Sequence, residues 1–283
     1  MASKHSDKWT DRLLPFLFAA ILGQHALYTS VKQIFEHYPA SEYFGLPPAS
    51  PKYCPTDEPC ERPDLLAFSI VSFLAFVGCT SLGGYAWYGN RVKKLLPWTP
   101  AGRVYGVLPE LAYLAAWNTS YQLWDLYMSF QIPEFMTPIL LCHHTVAAVV
   151  CYAGLYGEVL GYYAAVFASL SEMSSLFLVP LDASEYFPPT VVGSAYDTFI
   201  HGVCAPLFTL TFTYYRVWMW WPATIRLWSD IYHLRESGQD EKLRPGKTWV
   251  PLLQGLMAVP MGLLQLYWLG QIVQKIVEMV ATE

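Results

Sequence analysis

The chain has 283 residues, of which 54% are hydrophobic and only 14% are charged, and its net charge is −5. Soluble domains carry about 25% charged residues, so this composition excludes an ordinary soluble protein. Neither the net charge nor any run of mixed basic and aromatic residues favours a nucleic-acid partner. Aromatic residues reach 16%, which is typical of proteins that place aromatic rings at membrane interfaces. We therefore predict an all-α, polytopic integral membrane protein.

Seven apolar runs are long enough to cross a bilayer as helices, which takes about 20 residues. In chain order they cover residues 13–34, 65–88, 105–130, 135–156, 159–181, 191–221 and 249–277. A charged connector, 226–247, separates the last two runs. We divide the chain into a leading part, 1–64, with a polar tail, one helix and a loop, and a membrane domain, 65–283.

The loop between the first two runs is rich in Pro, which excludes a long helix, and it contains Cys54 and Cys60. In an oxidising lumen these thiols could form a disulfide; two free thiols are the alternative, and the sequence leaves both open. Lys and Arg concentrate in the N-terminal tail and in the connectors after the second and sixth runs. The positive-inside rule then predicts a cytosolic N-terminus and a luminal C-terminus.

Polar side chains recur at helical spacing inside four of the predicted spans, where hydrocarbon penalises them. The fourth span carries His143 and His144 near its start. Successive helical residues diverge by ~100°, so one imidazole can face a cavity while the other anchors against a neighbouring helix. In the other three spans, the spacing places a set of residues on one helix face. The sets are Asn118, Gln122 and Asp125; Ser169, Glu172 and Ser175; and Asp197, His201, Phe208, Phe212 and Arg216, with Tyr215 beside the last set.

Taken singly, each of these residues is more typical of hydrogen bonding between helices, of helix capping or of snorkelling. Taken together, they indicate acyl transfer. An imidazole of His143 or His144 would be the base or nucleophile, oriented by Glu172 or Asp125. Arg216 would hold a phosphate, a carboxylate or a lipid head group. A metal site is disfavoured, because membrane di-iron enzymes need several histidine boxes and the chain has only seven His.

Residues 119–150, TSYQLWDLYMSFQIPEFMTPILLCHHTVAAVV, resemble the core of the TLC domain of ceramide synthases, translocation-associated membrane proteins and TLC-domain-containing proteins. In that family an acidic residue late in one span precedes a short loop and a His-His pair, matched here by Asp125, His143 and His144. The following span, AAVFASLSEMSSLFLVPLD, resembles the TLC-domain-containing branch, where a Glu, here Glu172, precedes small hydroxyl residues. The stretch TFTYYRVW resembles the helix that bears a family Arg, here Arg216.

One departure separates the chain from true ceramide synthases, whose longer signature includes a His-Asp and a second Asp. The corresponding place, residues 171–175, reads SEMSS, which keeps one carboxylate and loses the imidazole and the second acid. The resemblance, which covers about residue 65 to the C-terminus, is therefore closer to the TLC-domain-containing branch. The family also places the loop before the His pair on the cytosolic side, opposite to the orientation that the charge count predicts.

The resemblance implies six helices around a central lipid-accessible cavity, in a multi-pass protein of the endoplasmic reticulum or another endomembrane. It implies lipid metabolism of the sphingolipid and ceramide type: acyl-CoA would be the co-substrate, a lipid amine or hydroxyl the acceptor, and no cofactor would be tightly bound. The expected substrate contacts are Arg216, His201, Asp197, Ser175 and Tyr215. The alternatives are a non-enzymatic lipid-binding regulator of membrane composition, a cargo receptor or a transporter. A homodimer in the bilayer is compatible with each of them.

Overall fold

The structure, a computed structural model, describes residues 8–56 and 58–282, so residues 1–7 of the predicted polar tail lie outside it. Within these ranges the chain is helical, with two isolated β-bridges and no strand. The long helical elements are α1 Lys8–His37, α2 Pro63–Tyr88, α3 Pro109–Ser129, α4 Pro138–Gly157, α5 Tyr162–Tyr186, α6 195–236 and α7 Trp249–Thr282. Short helical turns lie between them, at Ala40–Tyr43, Pro51–Tyr53, Arg91–Leu95, Pro100–Tyr105, Pro133–Phe135 and Gln239–Leu243.

Proline sets the start of three of the long helices, because it needs no N–H partner at the first helical position and its φ is already helical. Pro63, Pro109 and Pro138 occupy that position in α2, α3 and α4. Thr137 caps α4, since its hydroxyl accepts a hydrogen bond from the Leu140 N–H at 3.4 Å. The loop before the histidine pair therefore ends where the sequence encodes a helix start.

The predicted all-α, polytopic membrane architecture is confirmed, but the count of seven spans is not. The helices that are long and apolar enough to cross a membrane are Asp11–His37, Pro63–Tyr88, Pro138–Gly157, Tyr162–Tyr186 and Trp249–Glu278. Helix α3 is long enough, but many of its residues are polar, and they are buried inside the protein. Helix α6 alternates α-helical and π-helical turns, the latter at Thr198–Cys204 and Phe212–Met219.

Several predicted boundaries were wrong. The third run, 105–130, is split, because Pro100–Tyr105 forms its own short helix and α3 begins only at Pro109. The sixth, 191–221, continues to residue 236 through much of the predicted connector 226–247. An ion pair explains the longer helix: Asp230 accepts hydrogen bonds from Arg103 at 2.7 and 2.5 Å. The charges in this stretch stabilise a helix packed against the bundle.

The connecting segments gather at two ends of the bundle. At one end Cys54 and Cys60 form a disulfide with Cα atoms 5.9 Å apart, which settles the pairing that the sequence left open. At the same end Arg62 bonds to Glu134 at 2.7 Å. The other end holds the ion pairs Arg91–Glu110, Arg103–Asp230 and Arg244–Glu158. We call these the disulfide end and the basic end; their sidedness in the membrane stays a prediction.

Helix α5 carries a break at its centre that matters for the site. It consists of Tyr162–Ala168, a 3₁₀ turn Leu170–Met173 and Ser175–Tyr186. The break packs directly on α2, where the Ser169 hydroxyl donates to the Cys79 carbonyl at 2.9 Å. A Cβ at Gly83 would overlap the Ser169 side chain, so only glycine allows this close approach. The contact fixes the 3₁₀ turn at mid-bundle depth.

Candidate functional site

A cavity of about 530 Å³ lies inside the bundle and reaches the surface between α5 and α7. A narrower, mainly apolar chamber of about 80 Å³ continues from it toward the basic end. The residues that line both spaces are Gln122, His143, Glu172 and Arg216. The wide cavity and the narrow chamber therefore meet at a polar layer in the middle of an apolar bundle.

One imidazole of the pair is held by helix α3. The His144 Nδ1 lies 2.7 Å from the Gln122 Oε1, and its Nε2 lies 3.5 Å from a carboxylate oxygen of Asp125. The Gln122 amide in turn donates to the Asn118 side-chain oxygen at 3.0 Å. The Asn118 amide donates to the main-chain carbonyl of Ala168 at 3.1 Å.

The direction of this hydrogen-bond chain assigns a proton on His144. A main-chain carbonyl can only accept, so Asn118 must turn its NH₂ toward Ala168 and its oxygen toward Gln122. Gln122 then turns its own oxygen to the imidazole, which must donate from Nδ1. The second nitrogen, Nε2, faces the carboxylate of Asp125 at 3.5 Å.

The other imidazole, His143, faces the two spaces instead. It lines both, and its Nδ1 is buried without a hydrogen-bond partner among the described residues. Its ring packs edge-on against Trp268, with centroids 5.4 Å apart. The two histidines thus differ in role: His144 is anchored by α3, and His143 presents an imidazole to the cavity.

Arg216 and Glu172 form the second polar centre. The guanidinium donates to the Ser171 carbonyl and the Ser174 hydroxyl at 2.8 Å each, and to the Ser175 hydroxyl at 2.7 Å. It also donates to Glu172 at 3.0 Å, and the Ser175 hydroxyl donates to that carboxylate at 2.7 Å. The 3₁₀ turn of α5 therefore wraps the guanidinium with acceptors, and Arg216 is only 6% exposed.

Not every predicted site residue reaches this centre. The structure brings together His143, His144, Asp125, Glu172, Ser175 and Arg216. Asp197 and His201 instead pair with each other at 2.8 Å, and the His201 side chain is 61% exposed, away from the cavity. Asp197 also accepts from the Gly193 N–H at 2.8 Å, a local loop contact. The Tyr215 hydroxyl contacts the Tyr88 hydroxyl and lines neither space.

Sequence reasoning grouped Asn118 and Gln122 with Asp125 but gave them no place in the site, and it missed the contribution of α7. Gln265 accepts from Arg216 at 3.4 Å, and Gln254 lines the narrow chamber with an Oε1 that has no hydrogen-bond partner in the described part of the chain. A signal was available, because both glutamines interrupt an apolar span. Among the described residues, no group of three or more His, Cys, Asp or Glu is arranged to hold a metal ion.

The fold and the site define a class: an integral, multi-pass α-helical membrane protein with a buried polar centre beside an internal cavity. The family model of the TLC domain matches residues 66–274, well over half of the chain. The chain therefore belongs to the TLC-domain family, as its sequence motifs predict. The comparison with curated proteins finds no match, and neither does the comparison with solved structures.

Proposed function

We propose that this TLC-domain protein transfers a fatty acyl group to a lipid amine or hydroxyl, with His143 as the general base. The observation that carries the proposal is the division of the histidine pair. His144 contacts Gln122 through Nδ1 and Asp125 through Nε2. The His143 side chain instead lines both the wide cavity and the narrow chamber, and its buried Nδ1 has no hydrogen-bond partner among the described residues. An imidazole is suited to take and return a proton near neutral pH.

The two spaces suit two substrates. The narrow chamber is lined mainly by apolar side chains, which suits the part of an acyl chain next to the reacting carbonyl, and the larger wide cavity has room for lipid chains. The reacting carbonyl would then lie beside His143.

The reaction follows from these positions. His143 takes the proton of the acceptor N–H or O–H while that atom attacks the thioester carbonyl of an acyl-CoA co-substrate. The carbon–sulfur bond breaks, and the leaving thiolate recovers the proton from the imidazolium. The products are an amide or ester lipid, ceramides and other sphingolipids among the class, and free thiol. No tightly bound cofactor is needed. Residence in the endoplasmic reticulum or another endomembrane belongs to the same proposal.

A non-enzymatic role, as a lipid-binding regulator or cargo receptor, is the second candidate. One observation favours it: both carboxylates of the centre are already paired, Asp125 with His144 and Glu172 with Arg216. The His143 imidazole therefore lacks the orienting carboxylate that assists many catalytic histidines. The cavity would then hold a lipid without reaction.

Purified protein in lipid nanodiscs, given acyl-CoA and long-chain amines or alcohols, separates the two candidates by mass spectrometry of products. We expect His143→Gln to reduce turnover by about 10²-fold or more, the usual contribution of a general base. His233→Gln, an exposed histidine near the end of α6, is the matched control and should leave turnover unchanged. Bound lipid without product in the wild type would refute acyl transfer and leave the binding role.

A further inference from the structure

The wide cavity opens beside an aromatic wall. Phe68 and Phe135 stack with centroids 4.2 Å apart, and Tyr186 meets Phe135 edge-on at 6.0 Å. All three rings line the cavity. Phe68 stacks on Trp124 as well as on Phe135, so Phe135 and Tyr186 are the rings that can meet a cation. The faces of aromatic rings attract cations, quaternary ammonium groups among them.

Charged side chains surround the same opening. Lys275 of α7 bonds to Glu185 of α5 at 3.0 Å, and both side chains are more than half exposed, so the cavity reaches the surface here. Asp182, one turn earlier on α5, lines the cavity without an ion pair or hydrogen bond among the described residues. We call the opening formed by Phe135, Tyr186, Asp182, Glu185 and Lys275 the cavity mouth.

The balance of charge at the cavity mouth is negative. Glu134 also lines the cavity; one of its oxygens bonds to Arg62 at 2.7 Å, and the other is buried without a partner. The charge of Glu134 is thus already paired with Arg62, and among the described residues the free carboxylate beside the aromatic wall is that of Asp182, which interacts electrostatically with Tyr186. Lys275 is the one cation that lines the opening within the part of the chain that the structure describes. Such an arrangement offers one place for a cation and another for an anion.

We propose that the cavity mouth binds the phosphocholine head group of a membrane lipid. The quaternary ammonium lies against the aromatic wall and the Asp182 carboxylate. The phosphate takes the place of Glu185 on Lys275, and the acyl chains enter between α5 and α7. A diacyl choline lipid has no N–H or O–H to acylate, so this lipid is not the acceptor. The inference goes beyond the proposed acyl transfer and rests on the lipid-binding candidate for the same cavity.

The test is isothermal titration of the purified protein in maltoside micelles with dihexanoylphosphatidylcholine and, separately, dihexanoylphosphatidylglycerol. We expect saturable binding of the choline lipid, about tenfold tighter than that of the glycerol lipid, which lacks the ammonium. Asp182→Asn and Phe135→Leu should each weaken choline-lipid binding by about three- to tenfold. Lys93→Met, exposed at the basic end, is the control and should change nothing. Thermal melts of each variant establish that it is folded.

Equal or tighter binding of the glycerol lipid would overturn the assignment in favour of an anionic-lipid site. Absence of saturable binding, or insensitivity to both mouth variants, would also overturn it. His143→Gln separates this inference from the proposed function, because it should abolish transfer and keep choline-lipid binding. Binding without any acyl transfer in the wild type refutes only the enzyme. Transfer without a choline preference refutes only the head-group assignment.

Discussion

Removing the guanidinium at position 216 tests how much the ion pair and hydrogen bonds of the polar centre stabilise the fold. Arg216→Met keeps much of the side-chain length but deletes every contact to the 3₁₀ turn of α5 and the ion pair with Glu172 at 3.0 Å. The carboxylate that remains is 8% exposed and keeps a single hydrogen bond, from the Ser175 hydroxyl. A buried charge left without its partner is strongly destabilising.

The size of the effect follows from that orphaned charge. Breaking a buried pair by removing one partner typically costs about 3–5 kcal/mol. Hydrogen bonds between membrane helices contribute only about 0.6 kcal/mol each on average, so the unpaired carboxylate dominates the loss. At roughly 2–4 °C per kcal/mol for a large domain, the melting temperature should fall by about 10 °C. Adding Glu172→Gln removes the orphaned charge and should recover on the order of 2 kcal/mol.

Thermal unfolding in detergent, followed by intrinsic fluorescence, measures both variants. Arg226→Met is the matched control: it lies on the same helix, is exposed, and contacts Trp98 through its guanidinium at 5.8 Å. It should shift the melting temperature by less than about 3 °C, since exposed cation–π contacts contribute about 0.5–1 kcal/mol. A melt of Arg216→Met that matches this control would refute the reasoning and return Arg216 to the head-group role that the sequence suggested.

Five further variants probe three other parts of the structure. His143→Gln should melt within about 2 °C of the wild type, whereas His144→Leu should lose about 1–3 kcal/mol because it strands two buried polar partners; the opposite ranking would reverse their roles. Gly83→Val should cost about 1–3 kcal/mol by overlap with the α5 break, while Gly84→Val, which faces open space, should not. The hydrogen bond that Glu134 accepts from the Arg62 guanidinium lowers the pKa of the Glu134 side chain. The Arg62–Glu134 ion pair therefore adds stability above about pH 4.3, and this stability is lost on further acidification. Glu134→Gln should therefore reduce the dependence of the melting temperature on pH between pH 5 and pH 3, roughly the range of that titration. If the slope is unchanged in the variant, the ion pair is not the cause of the pH dependence.

The sequence predicted the helical class, the histidine pair and the polar layer, because length, hydropathy and intramembrane polarity are local properties. It could not tell which histidine faces the cavity. A step of ~100° per residue separates His143 from His144 but does not set the rotation of α4 against its neighbours. That rotation depends on contacts from Gln122 and Asp125, which lie on another helix.

The predicted stripe from Asp197 to Arg216 holds only in part. Phe208, Phe212 and Arg216 line the wide cavity, whereas Asp197 and His201 do not. The prediction assumed α-helical geometry throughout, but α6 contains two π-helical segments, in which hydrogen bonds span five residues instead of four. The extra residues in each turn rotate later side chains away from earlier ones. Arg216 therefore faces the centre while His201 faces outward. No local sequence pattern predicts this change in the helical pitch of α6.

The hydrogen-bond chain from His144 to Ala168 determines whether protons can pass along this part of the protein and so across the bilayer. Its two middle links are the side-chain amides of Gln122 and Asn118, which hold their protons and do not pass them on. A proton on His144 therefore cannot hop further toward the basic end along this route. The protein therefore holds ionisable groups inside the helical bundle, and the two amides block proton transfer from them along this hydrogen-bond chain.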